Sequence, residues 1–83
     1  MNDKMYHICK RFPEKRETIA LLILEDPEFR AMCEDYEDCF QACRYWGLSE
    51  EPEAETRVQE YRTIIEELEN EIVEALNKSA YSI

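Results

Sequence analysis

Four cysteines and one histidine are the side chains of this sequence best suited to hold a soft metal ion or act as a nucleophile: Cys9, Cys33, Cys39, Cys43 and His7. On a helix Cys39 and Cys43 stand at i, i+4, so their thiolates can meet one Zn²⁺ or Cu(I) ion if Cys9 or His7 completes the set. Cys33 cannot join them. It lies about 120° around the axis from Cys39 and ~9 Å along it. The sequence has no second CxxxC pair and none of the compact CxxC knuckles of structural zinc sites. Both positions also fall on an apolar helical stripe, where a free cysteine packs as a small hydrophobe. Packing is therefore the favoured role. A thiol protein responding to metal or redox state through Cys9, Cys39 and Cys43 is the alternative. A disulfide between Cys39 and Cys43 inside a regular helix has the wrong geometry.

The remaining candidates for chemistry are weaker. His7 has no Ser, Cys or Asp arranged around it as an evident triad, and reads as a surface histidine in a basic arm. The acid pairs Glu34-Asp35 and Glu37-Asp38 alternate with the apolar stripe and read as the solvated face of a helix. No calcium-binding loop surrounds them. No Gly-rich phosphate loop and no recognised nucleophile motif is present. The reading is non-enzymatic, with no catalytic residue, cofactor or small-molecule substrate.

The elements that carry these residues are legible from two apolar stripes. One is Phe29, Met32, Tyr36, Cys39, Cys43, Trp46; the other is Ala54, Val58, Tyr61, Ile65, Leu68, Ile72, Ala75. Steps of three and four are the period of helices packing along one seam. Asp26-Pro27 supplies an N-cap and a proline at the first helical position, and Gly47 offers a left-handed stop with Leu48 placed for the accompanying apolar contact. The fold class is all-α: an antiparallel hairpin of helices over about 27–46 and 52–77, with a shorter N-terminal helix over about 13–24 packed on it. The second hairpin helix is the longer. Its end, at Ile72, Val73 and Leu76, then faces Ile19-Ala20-Leu21-Leu22-Ile23-Leu24. That segment is apolar on every face, so either the core encloses it or another chain meets it. Residues 1–83 form one small domain. Residues 1–12 form a basic N-terminal arm, with Met5, Ile8, Cys9 and Phe12 spaced for a turn or two of helix, and 79–83 a frayed tail.

Charge narrows the partners. The chain carries 20 acidic and 10 basic residues, a net charge of −10. Nucleic acid and anionic membrane surfaces are disfavoured by repulsion. The distribution is uneven: residues 4–16 hold Lys4, Lys10, Arg11, Lys15 and Arg16 against Glu14 alone, and residues 17–83 hold 18 acids against five basic residues. No apolar leader and no run long enough to span a bilayer is visible, which predicts a cytoplasmic protein whose cysteines stay reduced.

Phe12-Pro13-Glu14, Asp26-Pro27-Glu28-Phe29-Arg30, Cys33-Glu34-Asp35-Tyr36-Glu37, Glu60-Tyr61-Arg62 and Glu67-Leu68-Glu69-Asn70-Glu71-Ile72 together resemble a group of small bacterial helical proteins. The pattern is more loosely similar to the YdcH-type helical-hairpin proteins. It differs from that type in its cysteine-rich middle helix and its apolar first helix. The resemblance implies a hairpin and brings no catalytic residue with it. The function expected is a protein–protein interaction module whose partner is another protein or a second copy of this chain. Leu21, Leu22, Trp46, Ile72 and Leu76 are its candidate contact residues, Trp46 because an aromatic at a hairpin tip can anchor an interface.

Overall fold

The chain is described here by a computed structural model covering residues 5–78. Helix α1 spans Tyr6–Arg11, a single 3₁₀ turn spans Pro13–Lys15, α2 spans Arg16–Glu25, α3 spans Pro27–Gly47 and α4 spans Ala54–Lys78. No strand occurs among the described residues. The two long helices pack on each other as an antiparallel hairpin, and α1 and α2 both pack on α3. The frayed tail expected over 79–83 lies outside the described residues, as does Lys4.

Each boundary has a local cause. Pro13 disfavours helical geometry at the residue before it. Phe12 accordingly sits at φ −126°, ψ 66° and ends α1. Asp26 caps α3: its Oδ1 accepts from the backbone N–H of Glu28 at 3.0 Å and of Phe29 at 3.2 Å. Arg30 reaches back to donate to the Ile23 carbonyl at 3.4 Å, which covers an otherwise open C-terminal carbonyl of α2.

The end of α3 departs from expectation. No described residue has a positive φ, and Gly47 is the last residue of the helix rather than a left-handed cap. The helix loosens instead through Leu48 N–H, shared between the Arg44 and Tyr45 carbonyls at 3.2 Å each. A Cβ at Gly47 would touch nothing within 4 Å, so this turn does not require glycine. Leu48 is 79% exposed, so its side chain does not supply the apolar contact expected of it. Helix α4 begins at Ala54, two residues after Pro52, because the Ser49 hydroxyl accepts from the Glu51 N–H at 3.1 Å and holds the linker in a turn.

One core joins all four helices: Ile8, Ile19, Leu22, Ile23, Phe29, Cys33, Tyr36, Cys39, Ile65, Ile72 and Leu76. It is thickest beside the first half of α3, which α1, α2 and α4 all surround. Helix α1 reaches along α3 as far as Phe40, which His7 covers; further on, Cys43 and Trp46 are only half-buried although they continue the same stripe. Within the expected basic arm, residues 6–11 form a helix that docks on the core through the fully buried Ile8. Of the three residues expected at the overhang, Ile72 and Leu76 enter the core, while Val73 stays exposed on the flank of α4.

Candidate functional site

Two features stand out around α1: a polar clamp on its inner side and a cleft on its outer side. The clamp centres on Glu37, which is only 7% exposed. Its Oε2 accepts the backbone N–H of His7 at 2.7 Å, and its Oε1 accepts from His7 Nδ1 at 2.5 Å. The imidazole stacks on Phe40, centroids 4.3 Å apart and planes 8° from parallel, and Tyr6 meets it edge-on at 5.0 Å. A second set of contacts closes the triangle of helices. The Tyr36 hydroxyl donates to Glu69 Oε2 at 2.6 Å, and Arg11 Nε lies 3.4 Å from the same oxygen. Thus α1 is bonded to α3 through His7 and Glu37, α3 to α4 through Tyr36 and Glu69, and α1 to α4 through Arg11.

Two readings of the sequence are corrected here. His7 is not a surface histidine: it is half-buried and hydrogen-bonded. Glu37 is not on a solvated face, because α1 covers it and brings the two donors that make a buried carboxylate tolerable. The signal was present in the sequence. Cys33, Glu37 and Phe40 stand at i, i+4, i+7 beside the main stripe, forming a second face for α1 to cover.

The cysteines are all free thiols. Burial pushes the Cys33 thiol up to about 12, with the neighbouring Cys9, Glu37 and Glu34 adding to the effect. Burial also raises Cys39, helped by Asp35, Asp38 and Cys43. Both shifts run against thiolate formation and nucleophilic reactivity. Cys9 adjoins Cys33 rather than Cys39 and Cys43. Among the described residues no group of three or more His, Cys, Asp or Glu side chains is placed to hold a metal ion. Cys9, Cys39 and Cys43 therefore do not converge as one ligand set. Burial raises the Tyr36 phenol too, with the carboxylate of Glu69 as its next cause.

The outer cleft runs between α1 and α2, with a volume of about 580 Å³. Met5, Tyr6, Cys9, Pro13 and Ala20 give it an apolar lining, and Lys10, Arg16 and Glu17 supply its charges. Beside it α2 presents Leu21 at 40% exposure and Leu24 at 78%. Of the other expected contact residues, Leu22, Ile72 and Leu76 are buried in the core and present no outer surface, because the stripe that suggested them is the packing stripe. Trp46 is half-buried, edge-on to the exposed Tyr45 at 5.2 Å, above a mostly polar concavity of the hairpin turn. No described helix is long and apolar enough to cross a membrane. Comparison with protein-family models, with characterised proteins and with solved structures finds no match for this chain.

Proposed function

We propose that this chain is a non-enzymatic protein-interaction module that docks a partner protein on the outer face of α1 and α2. One observation carries the reading. The Ile19 to Leu24 segment of α2 is apolar on every face, but the core takes up only one side of it, through Ile19, Leu22 and Ile23. Ala20, Leu21 and Leu24 share the opposite side at i, i+1, i+4 and are left facing out, beside the apolar cleft lined from α1. A small acidic protein gains nothing in its own fold from leucines held in water. Contiguous exposed apolar surface of this kind marks interaction sites. The clamp at His7 and Glu37 has a supporting role, holding α1 in place as one wall of the cleft. Four free cysteines accord with a cytoplasmic setting.

Site-specific photo-crosslinking in cells tests this. A benzoylphenylalanine in place of Leu24 should capture one discrete partner protein, whereas the same probe in place of Glu67, on the outward face of α4, should not. Equal capture at both positions, or none at Leu24 and Leu21, would refute the docking surface.

A further inference from the structure

We infer that the cleft between α1 and α2 receives a short acidic amphipathic helix belonging to a different protein, its apolar side chains seated between Tyr6, Cys9, Ala20 and Leu24 and its carboxylates on Lys10 and Arg16. The inference rests on the docking reading above and names the occupant.

Charge is the first argument. On a chain of net charge −10, the cleft sets two cations, Lys10 and Arg16, beside an apolar lining. Lys10 leans over the Tyr6 ring, its Nζ 5.6 Å from the centroid. Among the described residues neither Lys10 nor Arg16 has a carboxylate partner. Glu17 is the one acid in the lining, and it sits in the first turn of α2, where the helix dipole already favours it.

Shape is the second. The walls are two helices, and no described strand offers an edge for an extended peptide to extend; a helix laid in the groove between them is the mode that matches an apolar floor rimmed by charges. From Arg16 to Leu24 the wall supplied by α2 runs about 12 Å, the length of roughly two turns of a bound helix. Two or three apolar anchors at i, i+3 or i+4, and i+7 fill such a length.

The surface of this chain fits the cleft less well than another protein would. The acidic helix of this chain, α4, has already buried its apolar stripe at Ile65, Ile72 and Leu76. A second copy would bring that helix with only Ile64 and Val73 exposed, nine positions apart on opposite faces rather than at anchor spacing, and another ten negative charges with it.

Fluorescence anisotropy with two labelled synthetic peptides of about 14 residues tests the assignment. Both carry leucines at i, i+3, i+4 and i+7; one has glutamates at the flanking positions and the other has lysines. The glutamate peptide should bind at least about tenfold more tightly, and should weaken as salt is raised. The double variant Lys10→Glu, Arg16→Glu should reverse the preference. A variant that had merely lost its fold would bind neither peptide, so reversal separates the two causes. Lys10→Ala alone should cost the glutamate peptide only a few-fold, as rim charges do. Equal binding of both peptides, or no reversal, overturns the acidic assignment. Failure of both peptides while Leu24 still captures a native partner overturns the occupant and leaves the docking surface standing. A dimer in sedimentation that Lys10→Glu, Arg16→Glu dissociates overturns it in favour of a second copy.

Discussion

His7→Ala removes the imidazole from the clamp and leaves the Glu37 carboxylate, buried in the parent at 7% exposure, with only the backbone N–H of residue 7 as donor. The lost bond is to a charged acceptor, worth about 1.5–3 kcal/mol. The lost stack on Phe40 adds about 0.5–1.5 kcal/mol. Because the His7 side chain keeps 31% of its surface in water, the lower half of the summed range applies, about 2–3 kcal/mol. A domain of 83 residues is stable by about 4–12 kcal/mol in total. The variant should therefore melt roughly 8–24 °C lower. Far-UV circular dichroism on heating measures this directly. Trp46 fluorescence is a poor substitute, because it reports the hairpin tip rather than α1. Glu37→Gln keeps an acceptor for the backbone N–H and should cost less than Glu37→Ala. In a double-mutant cycle, His7→Ala and Glu37→Ala together should cost at least about 1 kcal/mol less than their sum. A His7→Ala protein within about 0.5 kcal/mol of the parent, or strictly additive losses, would show that the clamp is not part of what holds α1.

Two further outcomes follow from the geometry. The folded chain keeps the Cys33 proton until about pH 12, while the unfolded chain releases it near the ordinary 9.0. Stability present below pH 9 should thus fall by about 1.4 kcal/mol per pH unit above it, more steeply once Tyr36 joins, and Cys33→Ala should flatten the first part of that fall in urea titrations; an unchanged slope would contradict the burial argument. Asp26→Ala, which strips the cap from α3, should cost about 1 kcal/mol in the same titration, with Asp26→Asn or Asp26→Ser recovering most of it and full stability in the alanine variant arguing against the cap.

The hairpin was legible because its information is periodic and redundant. Losing any one of Phe29, Tyr36, Ile65 or Ile72 from the pattern would leave the stripe readable. Asp26-Pro27 marked one helix start because capping is a local event within three residues. The clamp was not legible in the same way. Glu37 is acidic, and acids on helices are usually solvated; only the arrival of α1, 30 positions away in sequence, buries it. Such a contact has no period and no local motif. The cue was that Cys33, Glu37 and Phe40 share a face, and that cue gains meaning only once α1 is known to pack there. Gly47 misled for the opposite reason. Its identity suggests a left-handed cap, yet the backbone carries α3 through it with negative φ and lets Leu48 end the helix in open solvent. Helix α2 presented two exclusive alternatives, enclosure or contact with another chain, and its two faces do different things: Ile19, Leu22 and Ile23 are enclosed while Leu21 and Leu24 are free.

The clamp and the cleft are two sides of one six-residue helix. His7, Ile8 and Arg11 face inward to Glu37, the core and Glu69, whereas Tyr6, Cys9 and Lys10 face outward into the cleft. A helix this short is unstable by itself and exists only as far as its inner contacts hold it. The cleft therefore exists in proportion to the fraction of molecules with α1 docked, and a ligand's apparent affinity is reduced by that fraction. In the parent chain the two His7–Glu37 bonds favour the docked form. In His7→Ala, binding at Lys10 and Arg16 should weaken although neither residue is touched, and amides of α1 should exchange faster than those of α3. Saturating peptide should restore their protection, because a ligand that binds only the docked form stabilises it. A His7→Ala protein that bound the glutamate peptide as tightly as the parent while its α1 amides exchanged freely would separate the cleft from α1, and the peptide would then have to be held by α2 alone.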